Sequence, residues 1–150
     1  MFSDSETAHF RNYSQNDTIC FCDSIGNVEK IVIQSITGSY SQTGLLDKYT
    51  DLRVVIVNND SVQDLFTISK SSYSLKSNIA ISFKGFVNNT ANKNFEKVYR
   101  DTILLNGKQI SNYYRIENES KEHSIKSIIW TDLEGMTAYQ LDDNRWMTIK

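Results

Sequence analysis

The dipeptide Asn106-Gly107 makes this chain reverse on itself. A two-residue type I′ turn needs positive φ at both central positions, and Asn followed by Gly supplies that at little steric cost. The flanking segments, Thr102–Leu105 and Lys108–Ile116, are therefore predicted to pair as a hairpin. That leaves little room for a helix between residues 102 and 116.

The same signal recurs in weaker forms. Ser24-Ile25-Gly26-Asn27 separates a strand over Thr18–Asp23 from a returning strand over Val28–Ile36. Near the C-terminus, Ser127–Thr131, Met136–Leu141 and Arg145–Ile149 read as a three-strand meander, turned at Asp132-Leu133-Glu134-Gly135 and Asp142-Asp143-Asn144. Leu52–Val57 is the most apolar run, short and β-branched, and is predicted to be a buried strand. Within the ambiguous stretch Ser61–Ser77, Leu65–Ile68 reads as a further strand, followed by a polar Ser-rich loop. Asn78–Phe86 alternates, with Ile79, Ile81 and Phe83 on one side. Helical spacing occurs in two places. Leu45, Leu46 and Tyr49 allow one turn, and Phe95, Val98 and Tyr99 suggest that Phe95–Leu105 begins as a helix.

Composition agrees. The chain has no proline, and its only alanines are Ala8, Ala80, Ala91 and Ala138, so the best helix former is scarce. The expectation is one all-β domain over residues 1–150, with one or two short helices and a polar lead-in at 1–13. Short strands at even spacing suggest an antiparallel sandwich or barrel of about eight to ten strands.

Several function classes lose support. A net charge of −2 with no basic stripe disfavours nucleic acid as a partner. No apolar run approaches the ~18 residues needed to span a membrane. Met1-Phe2-Ser3-Asp4 opens polar, which leaves two expectations: a cytoplasmic protein, or a precursor whose leader has been removed. No glycine-rich phosphate loop is present, and no cofactor is expected. Cys20 and Cys22 share a strand face roughly 6.6 Å apart, with parallel Cβ vectors that make a disulfide awkward. They are expected as free thiols. A zinc site would need His9 and His123 as well, and no metal is expected.

Candidate chemistry is sparse. His9 and His123 read as surface histidines without a triad. Asp132, Glu134, Asp142 and Asp143 suit turns, where acids bond their own backbone, better than a catalytic pair or a calcium loop. No catalytic residue is assigned. The aromatics Tyr113, Tyr114, Trp130, Tyr139 and Trp146 crowd the last third. Packing accounts for such a cluster, but Trp130, Tyr139 and Trp146 are the candidates to touch a ligand, as a stacking platform or the lining of a calyx.

Two regions carry a family likeness. Lys97-Val98-Tyr99-Arg100-Asp101-Thr102-Ile103-Leu104-Leu105-Asn106-Gly107-Lys108, then Tyr114-Arg115-Ile116-Glu117-Asn118, Ile125–Trp130, Gly135–Tyr139 and Arg145-Trp146, form one. The opening hairpin, Asn12-Tyr13-Ser14-Gln15-Asn16-Asp17-Thr18 with Phe21 and Gly26, is the other, with Asn16 where glycine is usual. Together they resemble the mature part of small lipoproteins of Bacteroidetes-type bacteria. The resemblance implies an extracytoplasmic β domain, tethered by a lipid anchor in its precursor, and no established activity. It carries over no functional residue. Cys20 and Cys22 lack the apolar segment that precedes a lipid-bearing cysteine.

Three functions follow as expectations. The first is a non-enzymatic binding or structural module of the cell envelope, holding a small ligand, a glycan or a protein. The second is an envelope carbohydrate hydrolase using acids such as Asp132 or Glu134. The third is a protein-interaction domain using an edge strand, since no proline protects its edges.

Overall fold

A computed structural model describes residues 8–10, 13–43, 47–58, 61–71, 77–120 and 124–150. The structure is nearly all β, and the one α-helix among the described residues is a single turn, so the all-β expectation holds. The strands are β1 (Thr18–Cys22), β2 (Val28–Thr43), β3 (Asp47–Asn58), β4 (Ser61–Ser71), β5 (Asn78–Phe83), β6 (Phe86–Asn88), β7 (Ile103–Leu105), β8 (Lys108–Ile110), β9 (Tyr113–Glu117), β10 (Ile125–Thr131), β11 (Gly135–Leu141) and β12 (Trp146–Ile149). The helix α1 is Ala91–Asn94, and Ala8–Phe10 forms one 3-10 turn.

Ten strands form one antiparallel sheet in the order β6-β5-β4-β3-β2-β1-β12-β11-β10-β9. The sheet curls until it is nearly closed as a barrel. Of the two architectures left open by the sequence, this is the barrel. Its topology is two meanders, β1 to β6 and β9 to β12, joined where β1 pairs with β12.

The remaining gap lies between β6 and β9, and asparagine side chains bridge it. The Val87 N–H donates to Asn118 Oδ1 (3.1 Å), and the Glu119 N–H donates to the Val87 carbonyl (2.8 Å). Asn88 Nδ2 donates to the Glu117 carbonyl (2.9 Å), and Asn94 Nδ2 to that of Arg115 (3.2 Å). An amide side chain both donates and accepts, so it satisfies edge groups too far apart for a regular ladder.

The apolar faces turn inward. Ile19, Phe21, Ile31, Ile33, Val54, Ile56, Phe66, Ile68, Ile81, Phe83, Ile116, Ile128, Trp130, Met136, Tyr139 and Met147 all belong to one continuous buried cluster. Rings meet across the barrel: Tyr139 of β11 packs edge-on against Phe21 of β1 and Phe83 of β5, both at 5.1 Å between centroids.

A second, smaller cluster lies on the outer wall. The hairpin β7–β8 forms its own two-stranded sheet and covers Ile129 and Ala138 with Ile110, Ile103 and Leu105. Its turn is Asn106-Gly107, with φ of 49° and 81°, as the dipeptide requires. Asn106 Nδ2 also donates to the carbonyls of Trp146 (2.7 Å) and Cys22 (3.2 Å), which pins the turn to β12 and β1.

Several boundaries differ from the sequence reading. The strand expected over Val28–Ile36 runs on to Thr43, Leu52–Val57 widens to Asp47–Asn58, and Leu65–Ile68 widens to Ser61–Ser71, because each lengthens the ladder of its neighbour. Asn78–Phe86 is two strands, because Lys84 and Gly85 both take positive φ (48° and 82°) and turn the chain within two residues. Lys108–Ile116 is broken at Asn112 (φ 53°), where the chain leaves the outer hairpin and enters the wall. The helix precedes Phe95 and does not start there: Phe95 is its C-cap, and Tyr99 is extended, in a bridge with Tyr113. Of the suggested turn at Leu45, Leu46 and Tyr49, the first two lie outside the described residues, and Tyr49 pairs with Ser41 inside a strand.

No described helix is long and apolar enough to cross a membrane.

Candidate functional site

One end of the barrel is occupied by His9 and Tyr13. Tyr13 is buried, and its hydroxyl accepts the Met136 N–H at 2.7 Å. Burial pushes that hydroxyl well above the ordinary tyrosine range, and the Met136 bond offsets part of the rise. Trp130, at the end of β10, donates its indole N–H to the His9 carbonyl at 2.7 Å. The His9 ring stacks on Phe95 at 4.1 Å between centroids and meets Tyr114 edge-on at 5.3 Å. Its Nδ1 lies 2.7 Å from Asp132 Oδ1, and the Tyr114 hydroxyl donates to Asp132 Oδ2 at 3.2 Å.

His9 is thus not the surface histidine its neighbours in sequence suggested: its side chain is only 12% exposed. Nothing local signals this, because Asp132 and Trp130 reach it from more than a hundred residues away. A histidine held by an aspartate is two-thirds of a nucleophilic triad. The thiols are elsewhere, however. Cys20 and Cys22 are free and half-buried on β1, alternating with the inward Ile19 and Phe21. His123 lies outside the described residues.

The opposite end carries a second polar cluster. The Tyr139 hydroxyl donates to Glu29 Oε2 at 2.6 Å, and Lys84 Nζ reaches the other oxygen of Glu29. Burial, then the Glu29 carboxylate, pushes the Tyr139 hydroxyl far above its ordinary value. An open depression of about 500 Å³ lies outside this cluster, lined by Val28, Glu29, Lys30 and Lys84.

The three aromatic candidates are divided between two environments. Trp130 and Tyr139 are fully buried inside the barrel, at opposite polar ends of its core. Trp146 lies half-buried on the outer wall, packed against the cluster beneath the hairpin. The acids are divided too: Asp132 holds His9 and Tyr114, while Glu134 binds Lys108 of the hairpin at 3.2 Å. Between that hairpin and the β10–β11 turn is an open depression of about 190 Å³, lined in part by Lys108, Ile110, Thr131, Glu134 and Thr137. Among the described residues, no three His, Cys, Asp or Glu side chains gather in a way that could hold a metal ion.

Apolar residues also face solvent on the wall. In register across three strands, Val32 of β2 pairs with Val57 of β3, which pairs with Val62 of β4. Val32 is 38% exposed and Val62 58% exposed.

No protein-family model, curated protein or solved structure matches this chain.

Proposed function

We propose that this chain is a non-enzymatic binding or structural module that engages its partner with its outside. The observation that carries this reading is the set of large side chains packed inside the barrel among the described residues. Barrels that carry apolar ligands keep a cavity inside. Here Trp130, Tyr139, Phe21, Phe66 and Phe83 occupy that space, with His9 and Tyr13 at one end and the Glu29–Lys84 pair at the other. The exposed row of Val32 and Val62 and the two open depressions supply outer surface for contact. The likeness of the hairpins to small bacterial lipoproteins supports a place in the cell envelope, outside the cytoplasm and tethered through a lipidated precursor.

Methyl and amide NMR spectra recorded during titration with solubilised envelope fractions test the reading. Shifts are expected at outer positions such as Val32, Val62 and Leu133. Saturable shifts confined to the interior methyls of Ile128 and Met136 would contradict it.

A further inference from the structure

Among the described residues, one long stretch of strand edge pairs on one side only. Beyond Val32, β2 loses its neighbour β1, whose pairing runs only from Thr18↔Val32 to Cys22↔Val28. Asn16 and Asp17, just before β1, add two bonds, from the Asn16 N–H to the Ile33 carbonyl and from the Ile33 N–H to the Asp17 carbonyl. On its other side β2 stays paired with β3 as far as Thr43↔Asp47. Among the described residues, the backbone of 34–43 has no partner on the β1 side. At about 3.4 Å per residue this is an edge roughly 34 Å long.

Exposed edges of this length normally carry a defence: an inward charge, a lysine, a proline or a cover. Gln34-Ser35-Ile36-Thr37-Gly38-Ser39-Tyr40-Ser41-Gln42-Thr43 contains no charged residue and no proline. The charges lie one strand inward, on β3, where Arg53 pairs with Thr37, Asp51 with Ser39, and Lys48 with Gln42. A strand that pairs antiparallel with its own copy sets its residues against one another about a two-fold axis, so a charge there would face a like charge. This segment offers none.

We propose that β2 residues 34–43 are a self-association edge, on which a second copy of this chain adds its own β2 antiparallel. The occupant is the same chain because a neutral, largely polar strand is compatible with itself, and its open backbone groups supply the bonds. The proposal rests on the outside-binding reading above and names the partner for one part of that outside.

Sedimentation velocity of the full chain over a wide range of micromolar concentrations is the test. A monomer–dimer equilibrium is expected. The variant S35K/T37K/S39K sets like charges along both edges and is expected to weaken dimerisation about tenfold or more. Mixing it with S35E/T37E/S39E is expected to restore a mixed dimer, which also shows that both variants fold. A wild-type chain that is monomeric throughout overturns the proposal, as does a lysine variant that associates like wild type or a mixture that stays monomeric. A monomer that still binds envelope material on its outer wall removes the self-pairing alone and leaves the wider reading intact.

Discussion

Asn106 does two things at once. Its backbone takes the left-handed conformation at the hairpin turn, and its amide nitrogen ties that turn to β1 and β12. Asn106→Gly keeps the first and loses the second, so it isolates the tie. It is expected to cost about 1–2 kcal/mol, because two carbonyls lose a donor. Tyr13 is the counterpart inside the barrel. Tyr13→Phe leaves the Met136 N–H buried without a partner, and a loss of about 1–3 kcal/mol is expected. Gly135 sits against the same ring at φ 73°, and an added Cβ would overlap the Tyr13 hydroxyl. Gly135→Ala is expected to cost about 3 kcal/mol or more, from strain and overpacking together. Urea unfolding of the three variants measures all of these.

At the scale of elements, the seam between β6 and β9 decides whether the sheet is a barrel or a curled ribbon. Asn118 accepts from Val87 and donates to the Ile125 carbonyl, so it joins β6 to the β9–β10 connection. Asn118→Ala is expected to destabilise the fold by about 2–3 kcal/mol. Amide hydrogen exchange should speed up at Val87 and Glu119 while the β2–β3 ladder keeps its protection. Uniform acceleration across the sheet would deny the seam a separate role. None of this was legible in the sequence, where Asn88, Asn94 and Asn118 look like loop residues in an asparagine-rich chain. The hairpins were legible because turn chemistry is local: Gly26, Asn106-Gly107 and Gly135 each fix a φ that their immediate neighbours report. Lys84-Gly85 carries the same geometry with a lysine that sequence statistics do not associate with positive φ, so Asn78–Phe86 read as one strand. His9 failed to stand out for the opposite reason: its meaning lies wholly in residues far along the chain. For Trp130, Tyr139 and Trp146, the sequence gives aromatic character and strand membership. Which face each one takes depends on register, including the bulge between Ile129 and Trp130 that shifts the pairing of β10 with β11.

At the scale of the whole molecule, stability should form a plateau in pH with two shoulders. Burial pushes the Asp23 carboxyl up, but hydrogen bonds from Asn27 and Ile25 and the charge of Arg145 outweigh it and hold it below its ordinary value. Asp143 is held low by the Arg145 backbone and guanidinium. A carboxyl depressed by folding contributes stability above its unfolded pKa and loses it as pH falls through the lower folded value. Stability is therefore expected to fall on acidification below the ordinary carboxylate range, and Asp23→Asn should flatten that limb. Tyr13 and Tyr139 are raised by burial, so their contribution is complete below about pH 10 and is lost as pH climbs further. Urea titrations across pH give both limbs.

The same two tyrosines, with Trp130, define the filled barrel on which the functional reading stands. The direct test is to titrate the protein with a fatty acid and with an apolar fluorescent dye while following the indole N–H of Trp130 and the methyls of Ile128 and Met136 by NMR. A filled, covered interior gives no saturable change at those groups while the protein remains folded. Stoichiometric binding, with the indole N–H released from the His9 carbonyl and the interior methyls shifted, would show that the barrel opens to hold a ligand and would contradict it.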